Sequence, residues 1–157
     1  MCVEIKTTRA IAAQILRHRS FAFQEFSQRY ATVVEDIDVP EMRLAGAHNR
    51  QSSLPLPKIE ELTKEQQDAL YLVGSAIEFA TDVYRDLIAN GMAAETARMV
   101  LPMCTPTTMY MSGTIRSWIH YVQLRTRQDT QLEHRDIAQG VQNIMLEHLP
   151  IIMEALS

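Results

Sequence analysis

Apolar and polar positions along the chain follow two periods. The segment Val3-Glu4-Ile5-Lys6 alternates and predicts the end of a strand. Thr7 or Thr8 then stands where a helix cap belongs, and Ile11, Ile15 and Leu16 form a stripe that predicts a helix through about Leu16. The longest periodic run opens on a capping-box sequence, Thr63-Lys64-Glu65-Gln66. From there Ala69, Val73, Ala76, Ala80, Val83 and Leu87 recur at steps of four and three, while Leu70, Ile77 and Tyr84 widen the stripe. Asn90-Gly91 supplies the stop. This is a helix of about 27 residues, or ~40 Å at the rise of an α-helix, and a helix that long is expected to pack against more than its own small domain.

Residues 93–101 predict a short helix ended by Pro102, and residues 107–111 a strand. Residues 114–125 return to helical spacing, with Ile115, Trp118, Ile119 and Val122 inward and Arg116, His120 and Gln123 on another face. Residues 131–149 predict a last helix with Ile137, Val141, Ile144, Met145 and Leu149 along its stripe, ended by Pro150. Residues 31–60 contain Pro40, Pro55 and Pro57 between polar clusters and are the least regular stretch, the place for a mobile or partner-contacting loop. No internal repeat is visible. The expected fold is α+β, helix-rich with a small sheet, and the 157 residues suit one domain.

Composition narrows the function classes. No stretch approaches the ~18 consecutive apolar residues of a membrane helix. The N-terminus MCVEIKTTRA lacks the basic-then-apolar order of a signal peptide, so a cytoplasmic location is expected. Cys2 and Cys104 are too few and too isolated for a disulfide framework, and Cys104 reads as a partly buried thiol rather than a nucleophile. No two of the five histidines are spaced for a helical metal-ligand pair, so no metal site is expected. A net charge of −4 argues against a nucleic-acid partner. The charge is uneven, however. Residues 5–30 hold Lys6, Arg9, Arg17, Arg19 and Arg29 against Glu25 alone, whereas residues 58–96 are strongly acidic. A local basic zone in an acidic chain suits a small anionic ligand.

That zone is densest in RHRSFAFQEFSQRY, residues 17–30. Arginine offers a planar fork of donors matched to phosphate oxygens, and serine adds a neutral donor. In an extended segment Glu25, Ser27 and Arg29 share one face. Two readings stand on spacing alone: an anion site, most naturally for phosphates, or a surface loop with solvated arginines.

The same segment resembles the signature of the flavin-dependent thymidylate synthases, which is RHR, seven residues, then serine. Gln14 precedes Arg17 by three positions, and Glu25, Ser27, Arg29 and Tyr30 match the family context. Residues 49–53, Asn-Arg-Gln-Ser-Ser, resemble the NKQGS-like stretch of that family. Residues 97–102 resemble its AR-x-VLP motif, and Arg116-Ser117 and Leu124-Arg125 follow at similar distance. The likeness runs from about residue 3 to the C-terminus.

The resemblance implies reductive methylation of dUMP at C5. Methylenetetrahydrofolate would donate the carbon, reduced FAD the hydride, and NADPH would regenerate the flavin, with no cysteine attacking the pyrimidine. It implies a homotetramer with shared sites. It implies FAD contacts from Arg17, His18, Arg19, Glu25, Thr114 and His120. Nucleotide contacts would come from Gln14, Arg17, Glu25, Ser27, Arg29, Arg98 and Arg125, with Ser27 and Arg125 at the chemistry. Gln24, Ser52, Thr114 and His120 depart from the commoner family residues. The family also carries several dozen residues before the segment matched by residues 3–6, so the chain reads as an N-terminally abbreviated member. The departures keep a second reading open, a nucleotide- or flavin-binding relative that is non-catalytic or has altered specificity.

Overall fold

The computed structural model describes residues 1–27, 37–46 and 53–155. In chain order its elements are β1 (Cys2–Thr8), α1 (Arg9–Ile15), β2 (Ala22–Glu25), β3 (Arg43–Ala45), β4 (Ser53–Pro55), α2 (Lys64–Ala89), α3 (Ala94–Ala97), β5 (Pro106–Ser112), α4 (Ile115–Arg125), α5 (Leu132–His148) and α6 (Pro150–Glu154). Short 3-10 turns occupy Ile59–Glu61 and Arg98–Val100. The architecture is helix-rich α+β, as expected.

β5 lies between β1 and β2, antiparallel to both. Alternation sends Ile5, Met109 and Met111 to one face, where all three are buried. α1, α4 and α5 cover that face with Ile11, Ala12, Ile15, Trp118, Tyr121, Val122, Ala138, Val141 and Met145. One turn depends on a missing side chain. A Cβ on Gly113, between β5 and α4, would lie 2.5 Å from the Phe21 ring, so the ring seats the segment after α1 directly on the glycine backbone.

α2 is capped as the sequence predicts. Thr63 accepts from the Gln66 backbone N–H, and the Gln66 side chain accepts from the Thr63 N–H. Gly91, at φ 78°, ends it. Its buried residues are Ile77, Thr81 and Tyr84, while Ala69 and Ala76, placed on the predicted stripe, are exposed. The stripe is rotated because α2 packs on α3 and the turn after it rather than on the central sheet. Leu16 and Ile144 are likewise more exposed than their spacing predicts. The Pro-rich stretch holds an unpredicted antiparallel pair, β3 with β4. Pro150 does not only end α5; it also opens α6, where its missing N–H has no partner to lose.

Candidate functional site

The turn after α1 is tight. The Arg17 N–H donates to the Gln14 carbonyl, the His18 N–H to the Ile15 carbonyl, and the Phe21 N–H to the His18 carbonyl. This geometry separates the three residues of the RHR segment. Arg17 and Arg19 point outward, exposed and without a side-chain hydrogen bond or ion pair among the described residues, while His18 turns inward and is half-buried. There its ring stands edge-on to Tyr121, with centroids 5.0 Å apart, and to His134, 6.0 Å apart.

Arg125, the last residue of α4, closes this corner. Its Nε–H donates to His18 Nε2 at 3.0 Å. An accepting Nε2 carries no proton, so His18 is the neutral tautomer with its hydrogen on Nδ1. Burial, the Arg125 charge and His120 together hold its pKa down at about 4. His134 is fully buried, and neither of its ring nitrogens, nor the Tyr121 hydroxyl, has a hydrogen-bond partner among the described residues. Burial first, then Arg125 and His18, lowers the His134 pKa to about 4. Burial pushes the Tyr121 hydroxyl up.

Beside the corner opens a cleft of about 820 Å³, whose lining includes Gln14, Arg43, Arg125, Gln131 and Glu133. A chain of hydrogen bonds joins several of its lining residues. Gln14 Nε2 donates to Gln131 Oε1 at 2.6 Å, and Gln131 Nε2 donates to Glu133 Oε2 at 3.0 Å. Arg43 Nη2 donates to both Glu133 oxygens, at 2.7 and 2.9 Å, and Arg43 Nε donates to Ser53 Oγ at 3.0 Å.

The other candidate residues lie elsewhere. Glu25 accepts from the Thr107 hydroxyl at 2.9 Å and lines a separate pocket of about 360 Å³ on the sheet, with Lys6, Gln24 and Tyr110. Ser27 follows Phe26, whose N–H donates to the Thr108 carbonyl. Thr114 caps α4, accepting from the Ser117 N–H, and His120 is exposed on that helix. Arg98 follows α3, and its Nε–H donates to the Glu95 carbonyl one turn back. The structure therefore joins His18 to Arg125 and places Gln14 in the same cleft as Arg125. Glu25 and Arg98 are not among that cleft's lining residues. Arg29, Tyr30 and residues 49–52 lie outside the described residues.

Sequence reasoning missed Arg43, Tyr121, Gln131, Glu133 and His134. The alternation of polar types from Gln131 to His134 at a helix start was a visible signal, but it reads equally well as an ordinary first turn. Among the described residues no group of three or more His, Cys, Asp or Glu could hold a metal ion. No helix among them is long and apolar enough to cross a membrane.

Comparison with known proteins shows the family and the fold. The profile of the family "Thymidylate synthase complementing protein" (Thy1) matches residues 1–151. The probable flavin-dependent thymidylate synthase of Paramecium bursaria Chlorella virus 1 is 46% identical over 99% of this chain and 70% of its own length. The flavin-dependent thymidylate synthase of a Synechocystis species is 45% identical with the same coverage. Among solved structures, the UMP/dUMP methylase PolB from Streptomyces cacaoi bound with 5-Br dUMP superposes with a TM-score of 0.78 at 26% identity, over 99% of this chain and 69% of that one. The chain belongs to the Thy1 family, alongside the flavin-dependent thymidylate synthases.

Proposed function

We propose that the chain reductively methylates dUMP to dTMP in the cytoplasm, with methylenetetrahydrofolate as carbon donor and NADPH as the reductant of a bound FAD. The observation that carries this reading is that Arg125, bonded to His18, lines the same cleft as Gln14. FAD, when bound, supplies the hydride. The residues present fit that cofactor. Arg17 and Arg19 offer outward guanidinium forks without ion-pair partners among the described residues, suited to a pyrophosphate. His18 offers a neutral ring whose Nδ1–H is a donor. Thr114 and His120 border the same helix, and Glu25 completes the proposed cofactor set.

Gln14 and Arg125 hold the pyrimidine ring, with Arg17 close by. Arg125 is a fixed cation against which negative charge can develop as the ring reacts, and its bond to His18 sets its direction beforehand. Glu25, Ser27, Arg29 and Arg98 hold the sugar and phosphate, with Ser27 nearest the reacting ring. Because Glu25 and Arg98 do not line the Gln14–Arg125 cleft, one site draws its residues from more than one copy. The exposed apolar face of α2, with Tyr71 at 77%, Leu72 at 64% and Phe79 at 71% exposure, supports a homotetramer as the assembly that provides those copies.

The test is the absorbance spectrum of the purified protein with FAD and then dUMP added, followed by assay of dTMP. Flavin bands that shift with dUMP, together with dTMP formation, are expected. Flavin bands without dTMP would replace this reading with the non-catalytic one.

A further inference from the structure

The chain of hydrogen bonds among the cleft's lining residues has a direction that one group imposes. Glu133 is a carboxylate, and a carboxylate only accepts. Burial alone would raise its pKa, but its backbone hydrogen bond, the bonds from Arg43 and Gln131, and the Arg43 charge hold it below the usual range. The amide end of Gln131 that faces Glu133 must therefore be Nε2. The opposite end, Oε1, then faces Gln14 and has no hydrogen to give. Gln14 must present its own Nε2 to it, and the two are 2.6 Å apart. A glutamine amide is nearly symmetric in shape, and its partners decide which end points where. Here the partners leave Gln14 Oε1 as the uncommitted end, with no donor to it among the described residues.

We propose that Glu133, clamped by Arg43, sets the polarity of the Gln14 amide through Gln131, so that the cleft presents an acceptor at Gln14 beside the donors of Arg125 and selects a uracil-type imide edge over cytosine. Uracil carries an N–H at N3 between two carbonyl oxygens, complementary to an acceptor flanked by a guanidinium. Cytosine carries a lone pair at N3, which would meet the lone pairs of Oε1. A site whose polar groups are already oriented disfavours a ligand edge that leaves them facing like groups, here lone pair against lone pair. Arg43, Gln131 and Glu133 are thus positioning residues, acting on the nucleotide through Gln14. The proposal rests on the nucleotide occupying this cleft, as proposed above.

The test compares dUMP and dCMP binding to the FAD-loaded protein, for the wild type, Gln131→Leu and Glu133→Gln. Gln131 is exposed, so its replacement leaves the fold intact. Gln131→Leu is expected to weaken dUMP about 5- to 10-fold, the worth of roughly one oriented hydrogen bond, and to strengthen dCMP relative to it. Glu133→Gln, which can donate as well as accept, is expected to shift the ratio the same way. Equal changes for both nucleotides, or none, would mean a merely structural network and would overturn the proposal. The side-chain amide signal of Gln14 in the ligand-free protein, read by NMR, separates the two layers. A signal that shifts in Glu133→Gln supports the relay. A signal that stays put overturns it, whatever binds. A wild type that binds neither nucleotide overturns the functional reading, and the selectivity with it.

Discussion

The sheet with α1, α4 and α5 forms one region of the molecule; α2 with α3 forms another, and the two are built on opposite terms. The first buries its apolar residues in a single cluster of Ile, Met, Trp, Tyr, Val and Ala side chains and links Gln14 to Gln131 and Glu133, and His18 to Arg125, by hydrogen bonds. The second buries only Leu62, Ile77, Thr81, Tyr84 and Ala97 and leaves Tyr71, Leu72, Phe79 and Met99 largely in solvent. A region packed around one continuous core can hold a site rigid. A region with a long, open apolar face is complete only against something else. The candidate residues divide along the same line, since Gln14, His18 and Arg125 belong to the first region and Arg98 to the second.

The sharpest way to break this contrast is to remove one large side chain from each region. Trp118→Ala should cost about 3–5 kcal/mol of unfolding free energy, because it empties a fully buried site. Phe79→Ala should stay within about 0.5 kcal/mol for the isolated chain. Phe79→Glu should instead lower the mass seen by light scattering, and equal melting losses in both variants would dissolve the distinction. Next in size, Arg125→Ala should lower dTMP formation about 10²- to 10³-fold, as removal of a charge-stabilising donor does elsewhere. Its melting curve should change little.

On the other side of the line, Arg98→Ala should weaken nucleotide binding about 10-fold, by loss of a phosphate contact, without altering the melting temperature. Unchanged affinity would remove Arg98 from the site. The smallest effect is one of pH. His18 and His134 have folded pKa values near 4 against an ordinary 6.5, so between those values the unfolded chain binds more protons than the folded one. Stability present above about 6.5 is then lost as the pH falls toward 4. His134→Leu should flatten that slope in pH-dependent denaturation, whereas an unchanged slope would place the acid sensitivity in other groups.

Much of this was legible in the sequence, and the omissions have a common cause. β1, β5, α2, α4 and α5 were visible because each is fixed by neighbours in the chain: an alternation, a capping box, a stop at Gly91. The RHR segment was legible because its charges sit side by side. The faces that Leu16, Ala69 and Ile144 present were not, because exposure depends on which element packs opposite. The β3–β4 pair has three residues a strand, too few for a periodic signal. The wiring of the site was hidden for the same reason. His18 meets Arg125 across 107 positions, Gln14 meets Gln131 across 117, and Arg43 meets Glu133 across 90. A polar side chain on a helix gives no sign in its own sequence of which distant group it will bond.

Trp118 is the sole tryptophan of the chain, fully buried, with the Phe21 ring 4.8 Å away and the Tyr121 ring 5.6 Å away. Phe21 belongs to the turn that carries the RHR arginines, and Tyr121 touches His18. The chain thus contains one tryptophan, the fluorophore that can be excited apart from its tyrosines, set in an aromatic cage whose walls are the two residues bracketing the proposed flavin contact. Its emission should be blue-shifted in the folded chain. A yellow cofactor seated on the RHR turn would quench it by energy transfer, so cofactor loading can be followed by light alone, without a label and before any turnover is measured.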